Sequence, residues 1–216
     1  MQERAKLKGL CLIIDHGALR VSPEQALSFA LAAGVKNFQY RNKNASRKEI
    51  YETALRLVHL AHENEALFIV NDHADIAVAT GADGVHLGQD DLPIEYARKL
   101  LGPGKLIGIS THSLKQAKDA QAAGADYIGF GPLFATTTKD AGQAQGIGAL
   151  TAVKQAVSIP VIAIGGITHA TVREVIRAGA DGVAVISAVL SADDVKTAAE
   201  EMIREIRLAS DGEACC

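Results

Sequence analysis

Short apolar runs alternate along the chain with longer segments in which apolar and charged residues recur at helical spacing. The apolar runs are nearly continuous, which is typical of parallel strands that helices cover on their outer side. Eight runs predict strands, at 10–14, 37–41, 67–70, 84–87, 106–109, 127–130, 160–164 and 182–186. The segments between them, such as RKEIYETALRLVHLAHE at 47–63, place charges opposite an apolar face and predict helices.

One phrase recurs along this pattern, as GADGVHLG at 81–88, GADYIGFG at 124–131 and GADGVAVI at 179–186, with the looser AGVKNFQY at 33–40. Each copy ends a helical pattern with glycine and begins a strand-like run, so the recurrence marks one repeated αβ step. Eight such steps predict an α/β fold, a single-domain (β/α)8 TIM barrel over 1–208, with a flexible tail over 209–216. An open doubly wound sheet is the alternative, but the first βα turn, DHGALRVSPEQ, has no GxGxxG.

Composition and charge exclude several classes of protein. The net charge of −3 gives no general attraction for nucleic acid or for an anionic membrane surface, and no apolar run reaches the length of about 18 residues that suggests a membrane helix. The first residues, MQERAKLKGL, lack the apolar core of a secretory signal, so we expect a cytoplasmic enzyme. Cys11, Cys215 and Cys216 have no zinc-binding or redox spacing, and no function is assigned to them.

Polar residues follow nearly every predicted strand at its carboxyl end, which is where barrel enzymes carry their chemistry. These residues are Asp15, QYRNK at 39–43, Asn71, Asp72, Gln89, Asp90, Asp91, Ser110, Thr111, His112, GPLFATTTK at 131–139, GGIT at 165–168 and Ser187. The opposite rim repeats only the Gly-Ala-Asp phrase, which indicates loop closure. We therefore expect function at one rim and framework at the other.

Two groups of charged residues stand out at the functional rim. Gln39, Arg41 and Lys43 alternate on an extended stretch and point to one side, as an anion clamp requires, although an ordinary solvated strand end has the same pattern. Lys139 adds a cation from another loop. Asp72 and Asp91 end neighbouring strands and could bind Mg²⁺, which prefers one or two carboxylates together with water and phosphate.

Simpler interpretations of these carboxylates stay open. Asp72 could be the N-terminal cap of the helix in HADIAVATG, and Asp90 and Asp91 could belong to a solvated turn before Pro93. Asp91 is the preferred metal ligand, and Asp90 is either a loop residue or a hydrogen-bond partner of the residues that hold the metal. His86 lies within a strand and is expected to be packed or hydrogen-bonded, whereas His73 and His112 stand at strand ends.

A phosphate site is predicted at the last strands. Gly165 and Gly166, and Ile186 with Ser187, precede helices and would present backbone N–H groups where barrels most often bind phosphate. The alternative is that the glycines only permit a tight turn. No Ser/His/Asp or Cys/His arrangement suggests a nucleophile.

With these positions assembled, the sequence resembles the thiamine-phosphate synthase family. The matching phrases are QYRNK, NDHADIA, GADGVHLGQDD, GISTH, ADYIGFGPLFATTTK, IPVIAIGGI and GADGVAVISA, in family order over about residues 10–190. The resemblance implies an Mg²⁺-dependent enzyme that joins 4-amino-5-hydroxymethyl-2-methylpyrimidine diphosphate to 4-methyl-5-(2-phosphoethyl)thiazole, or its carboxylated form, and releases pyrophosphate.

The resemblance also implies a role for each site residue. The pyrimidine diphosphate would be bound by Gln39, Tyr40, Arg41, Asn42, Lys43, Asn71, Ser110 and Lys139, of which Arg41, Lys43, Ser110 and Lys139 would be catalytic. Mg²⁺ would be held by Asp72 and Asp91. The thiazole phosphate would be bound by Thr136, Thr137, Thr138, Gly166, Ile186 and Ser187.

Other functions remain to be weighed. A TenI-like thiazole tautomerase shares the fold but would lack the diphosphate clamp and favour a histidine after strand six. A phosphate-binding barrel isomerase would need an acid/base pair but no metal, and a silent ligand-binding barrel would not turn over. The sequence leaves open the oligomeric state, a homo-oligomer included, the order of substrate binding, and any role for Asp15, His16 or the Cys215-Cys216 tail.

Overall fold

Eight parallel strands close into a barrel in the order β1 to β8 in the computed structural model, which describes residues 7–136 and 143–211. The strands are β1 Gly9–Asp15, β2 Asn37–Arg41, β3 Leu67–Asn71, β4 Gly84–Leu87, β5 Leu106–Thr111, β6 Tyr127–Phe130, β7 Val161–Ile164 and β8 Gly182–Val185. The predicted (β/α)8 barrel is thus confirmed. The predicted strand bounds differ most at β5, which continues two residues past 109, to Thr111.

Helices connect the strands on the outer side of the barrel. They are a 3-10 turn His16–Ala18, α1 Pro23–Ala32, α2 Arg47–Glu63, α3 Ala74–Thr80, α4 Ile94–Leu101, α5 Leu114–Ala122, α6 Gly146–Ala156, α7 Val172–Arg177, α8 Ser187–Leu190 and α9 Val195–Asp211. Two of them begin with a capping box, in which Ser22 exchanges hydrogen bonds with Gln25 and Ser46 with Glu49. The sequence thus fixes where these helices begin.

The recurring Gly-Ala-Asp phrase builds the framework rim in two ways. Its glycine, as at Gly81, adopts a left-handed conformation that ends the preceding helix. Its aspartate accepts an N–H from an adjacent strand: Phe68 donates to Asp83, Ile107 to Asp126 and Val161 to Asp181, at distances of 2.8, 2.9 and 2.8 Å. The same three aspartates contact His62, Arg98 and Lys154 from helices α2, α4 and α6. The aspartate of each copy therefore links a strand to a helix, and the phrase recurs before every second strand, at β4, β6 and β8.

The core has two parts, which the wall of the barrel separates. Inward-facing residues such as Cys11, Ile69 and Tyr127 fill the barrel, and a larger cluster lies between the strands and the helices. In the part of the chain that the structure describes, no helix is long and apolar enough to cross a membrane.

The last helix, α9, runs to Asp211, so the domain end predicted at 208 falls inside it. Ala209 is buried, which explains why the helix continues past that point. The rest of the predicted tail, 212–216 with Cys215 and Cys216, lies outside the described residues.

Candidate active site

A cavity of about 260 Å³ reaches from the barrel interior to the carboxyl ends of the strands. Its lining includes six residues that the sequence predicted as site residues: Gln39, Ser110, Thr136, Gly166, Ile186 and Ser187. Between these polar groups the wall is largely apolar, with Ile13, Ile162, Ile164, Ile167 and Ala184. A cavity of this composition can hold flat heteroaromatic rings and bind their polar substituents at its edges.

Two cations of the predicted clamp, Arg41 and Lys43, stand at the carboxyl end of β2, the strand whose Gln39 lines this cavity. Arg41, at the end of β2, forms an ion pair with Asp15, the last residue of β1, and both side chains are largely buried. Lys43 forms an ion pair with Asp72, which directly follows β3. Each cation thus has one carboxylate partner from a neighbouring strand end, and both remain at the rim where an anionic group would enter.

Asp72 and Asp91 come together as a carboxylate pair. Burial raises the pKa of Asp91 above its usual range, the charge of Asp72 raises it further, and a 2.6 Å hydrogen bond from the Gly88 N–H opposes both effects. Two neighbouring carboxylates, one of which raises the pKa of the other, offer the oxygen ligands of a hard cation such as Mg²⁺, which takes only one or two protein carboxylates. Asp72 and Asp91 are therefore the candidate metal ligands; no group of three or more His, Cys, Asp or Glu side chains that could hold a metal occurs within 7–136 and 143–211.

The local backbone at Asp72 supports a site role. Asp72 adopts a left-handed conformation with φ of 65°, uncommon for a residue other than glycine, and its N–H donates to the carbonyl of His86 at 2.8 Å. The alternative interpretation of Asp72 as a helix cap is wrong, because α3 has His73 at its N-cap and no side-chain cap bond. Asp90 is exposed, in agreement with its interpretation as a loop residue.

His86 connects Ser110 to the interior of the barrel. Its Nε2 lies 3.0 Å from the Ser110 hydroxyl, and its Nδ1 lies 3.1 Å from the Tyr127 hydroxyl. The prediction that His86 is hydrogen-bonded is confirmed, and it also lines the cavity. Gln89 holds Ser110 from the other side, since the Gln89 side-chain amide donates to the Ser110 carbonyl at 2.6 Å. Ser110 is therefore held from both sides.

The cavity contains no activated thiol. Burial raises the pKa of Cys11 to about 12, so that the thiol stays protonated at neutral pH. Burial also raises the pKa of Tyr127, whose hydroxyl remains neutral. The described site residues therefore offer cations, hydroxyls and carboxylates, and no cysteine nucleophile.

The backbone conformation and the packing of the predicted phosphate loop require glycine at two positions, apart from any role in binding. Gly165 and Gly166 have φ of 96° and 67°, and a Cβ at Gly166 would lie 2.7 Å from the Ala135 carbonyl oxygen. The turn after β7 thus packs tightly on the loop after β6, whatever it binds. Of that loop, Thr136 lines the cavity, and Thr137, Thr138 and Lys139 lie outside the described residues.

The remaining predicted residues are at the same rim but differ in orientation. The Tyr40 side chain packs in the outer cluster, on the helix side, and its hydroxyl lies 3.4 Å from the Asn42 side-chain amide. Asn71 is half-buried at the end of β3, next to His86 of β4. His112 lines the cavity, with its Nδ1 2.6 Å from the Gly131 carbonyl oxygen. Tyr40 therefore does not present its side chain to the cavity.

One residue of this rim, Asp15, has a partner that sequence reasoning did not find. The sequence placed Asp15 at a strand end but gave it no role, because pairing across strands depends on the register of β1 and β2, which puts it opposite Arg41. The only available signal was its position, the first residue after an apolar run.

Comparison with known proteins identifies the family to which the chain is similar. The family model described as thiamine monophosphate synthase matches residues 10–189. The chain is similar to a thiamine-phosphate synthase of Chloroflexus aurantiacus, with 48% identity over 89% of this chain and 90% of the relative. It is also similar to the solved thiamine phosphate pyrophosphorylase from Pyrococcus furiosus, with a TM-score of 0.88 and 42% identity over 96% of this chain and 98% of that one.

Proposed function

Since this chain belongs to the thiamine monophosphate synthase family, and is therefore a transferase of thiamine biosynthesis, we propose that its barrel rim binds a pyrimidine diphosphate and transfers the pyrimidinylmethyl group to a thiazole phosphate. The observation that carries the proposal is the grouping of Lys43 with Asp72 and Asp91, together with Arg41 two residues earlier, at the rim of a barrel that encloses a largely apolar cavity. Cations suit the diphosphate, the carboxylate pair suits its metal, and the apolar wall suits the rings.

Each substrate has its own residues in this proposal. Gln39, Asn71 and Ser110 hold the pyrimidine diphosphate together with Arg41, Lys43 and Lys139, and Tyr40 and Asn42 contribute through the backbone. Thr136, Thr137, Thr138, Gly166, Ile186 and Ser187 bind the thiazole phosphate. In support, Gln39 and Ser110 from β2 and β5 line the described cavity together with Gly166, Ile186 and Ser187, which follow β7 and β8.

Asp72 and Asp91 are the residues that would hold Mg²⁺, because both are carboxylates, the charge of Asp72 raises the pKa of Asp91, and Lys43 is the only cation paired with either among the described residues. When bound, Mg²⁺ neutralises charge on the departing diphosphate. Lys43 is half-exposed and can reach a phosphate oxygen, and the largely buried Asp72 that it pairs with would then be left to the metal. The chain's own residues thus fit this cofactor.

The transfer needs stabilised charge more than it needs a protein base. The bond between the pyrimidine methylene carbon and the diphosphate oxygen breaks, its electron pair leaves with the diphosphate, and the amino group of the ring delocalises the positive charge left on carbon. Arg41, Lys43 and Lys139 stabilise the departing anion, and Ser110, held by His86 and Gln89, donates a hydrogen bond to it. The lone pair of the thiazole nitrogen then forms the new C–N bond.

A matched set of reactions separates this function from its rivals. Purified chain is incubated with both substrates and Mg²⁺, with the carboxylated thiazole phosphate alone, and with each substrate alone, and the products are identified by mass spectrometry. Thiamine phosphate in the first reaction supports the proposal. Isomerised thiazole without thiamine phosphate would support the tautomerase, and no conversion in any reaction would support the silent barrel.

Finer properties follow as predictions from the same proposal. Both the thiazole phosphate and its carboxylated form carry the phosphate that the last two loops would bind. Parallel reactions of each with the pyrimidine diphosphate and Mg²⁺ rank these two acceptors, and the carboxylated form must also release carbon dioxide. The cytoplasmic location expected from the sequence and a homo-oligomeric state stay predictions.

A further inference from the structure

Asp15 holds two partners at the end of β1, in a place where it is almost fully buried. One carboxylate oxygen accepts the N–H of Gly17 at 2.9 Å, and the other forms the ion pair with Nη1 of Arg41. The residue is 7% exposed and lies directly opposite Arg41 in the register of β1 and β2. The Gly17 N–H thus holds the carboxylate in place independently of its contact with the guanidinium.

Arg41 is left with an unused donor. Its Nε is buried and has no hydrogen-bond partner among the described residues, although its Nη1 is bound to Asp15. A buried donor without an acceptor is costly, and native proteins rarely keep one unless a ligand satisfies it. The free edge of the guanidinium therefore points to an anionic ligand.

We propose that Asp15 is a positioning residue, which holds Arg41 by Nη1 so that its Nε edge faces the diphosphate. The proposal rests on the proposed function, since it specifies how one cation of that site is oriented. Arginine loses much rotamer freedom when it binds, and a fixed partner supplies that order before the ligand arrives. A guanidinium released from Asp15 would be attracted to the other carboxylates of the rim, Asp72 and Asp91, and withdrawn from the diphosphate.

The negative charge of Asp15 also has an opposite effect, because it weakens the attraction of Arg41 for any anion. Orientation is expected to prevail, since the carboxylate binds the far nitrogen of the guanidinium and leaves the Nε edge to the ligand. Asp15→Asn separates the two effects: asparagine can still accept the Gly17 N–H, but it loses the charge that fixes Arg41.

The test measures binding of inorganic pyrophosphate in the presence of Mg²⁺ by isothermal titration calorimetry. We expect Asp15→Asn to weaken binding about tenfold. In an Arg41→Met background the same substitution should have no further effect, because a residue that acts only through Arg41 has nothing left to position. Asp75→Asn is the matched control, since Asp75 also pairs with an arginine, Arg47, but is exposed.

A kinetic readout distinguishes positioning from a structural role. The KM for the pyrimidine diphosphate should rise in Asp15→Asn and the KM for the thiazole phosphate should not, whereas a general disturbance of the rim would change both. If Asp15→Asn does not fold, Asp15→Glu keeps the charge but displaces the guanidinium, and it should also weaken pyrophosphate binding.

Two results would overturn the proposal: unchanged or tighter pyrophosphate binding in these variants, or equal losses with and without Arg41. A wild-type chain that binds pyrophosphate but forms no thiamine phosphate would instead count against the proposed function and leave the positioning of Arg41 intact. Failure of one claim is thus distinguishable from failure of the other.

Discussion

The charge of Asp72 helps to hold the pKa of Asp91 above its usual range, in a place where burial already raises it. The folded protein without metal therefore binds a proton at Asp91 more readily than the unfolded chain does. Its free energy of unfolding should fall as the pH rises from about 4 through the raised pKa of Asp91. In that range Asp91 loses its proton, and its anion is less favourable in the folded protein than in the unfolded chain.

Asp91→Asn removes this effect and keeps an oxygen that can accept the Gly88 N–H. We expect the variant to be more stable than the wild type without divalent metal, with a higher melting temperature at neutral pH. The difference should shrink toward pH 4. Asp90→Asn, at the exposed neighbouring position, should show no such dependence. A variant less stable than the wild type at neutral pH would contradict the carboxylate pair.

Mg²⁺ should stabilise the wild type through the same pair. A ligand at a hundred times its dissociation constant adds about 2.7 kcal/mol to the free energy of unfolding, so saturating Mg²⁺ should raise the melting temperature by about 5–10 °C. EDTA should reverse the increase, and Asp91→Asn should largely abolish it. Differential scanning fluorimetry measures all three, and an equal increase in Asp91→Asn would place the metal elsewhere.

Asp126 should matter for stability and not for binding. It accepts the Ile107 N–H at 2.9 Å and pairs with Arg98, so Asp126→Ala leaves a largely buried donor and a cation without their partner. We expect a loss of about 3 kcal/mol in the free energy of unfolding, measured in urea, with unchanged KM values. Asp119→Ala, which removes an exposed ion pair to Lys115, should change stability by less than about 1 kcal/mol.

Gly166→Ala should disturb the loop that is proposed to bind the thiazole phosphate. Its φ of 67° disfavours alanine, and the added Cβ would lie 2.7 Å from the Ala135 carbonyl oxygen and 2.8 Å from the Phe134 Cβ. We expect the KM for the thiazole phosphate to rise at least about tenfold, as expected when a bound group is displaced by about 1 Å. Gly148→Ala, within α6 and with nothing within 4 Å of the new Cβ, should leave kinetics unchanged and stabilise the helix.

Ser110→Ala should lower kcat by about a hundredfold, because it removes a hydroxyl that donates to the departing diphosphate. In the wild type this hydroxyl lies 3.0 Å from His86 Nε2, which holds it in place before the substrate binds. Rapid-quench measurement of the bond-breaking step reports this directly. Ser210→Ala, on α9, should be neutral, and equal rates for Ser110→Ala and the wild type would remove Ser110 from the reaction.

The sequence predicted the fold because the barrel follows from local patterns. Continuous apolar runs, a repeated glycine that ends helices, and the alternation of two periods require no knowledge of distant contacts, and all eight strands were found. The grouping of Gln39, Ser110 and Ser187 around one cavity followed in turn, since the carboxyl ends of parallel strands in a barrel meet at one rim.

Side-chain partners were harder to predict, because they depend on register and rotamer. The pairing of Asp15 with Arg41 follows only from the stagger of β1 against β2, and the pairing of Lys43 with Asp72 follows from the left-handed turn at Asp72. The Gly-Ala-Asp phrase was interpreted as loop closure, whereas its aspartate also fastens a strand to a helix. The predicted tail from 209 begins inside α9, which runs to Asp211, because the burial of Ala209 depends on tertiary packing that the short run ASDG does not reveal.

The stoichiometry of pyrophosphate release by the purified chain with both substrates shows whether this rim stabilises a departing diphosphate. The account predicts one pyrophosphate for each thiamine phosphate formed, only with Mg²⁺ present, and a large loss of rate in Asp91→Asn but not in Asp90→Asn. No release with Mg²⁺, or equal release with EDTA, would contradict a site in which Arg41, Lys43 and the carboxylate pair stabilise the departing diphosphate.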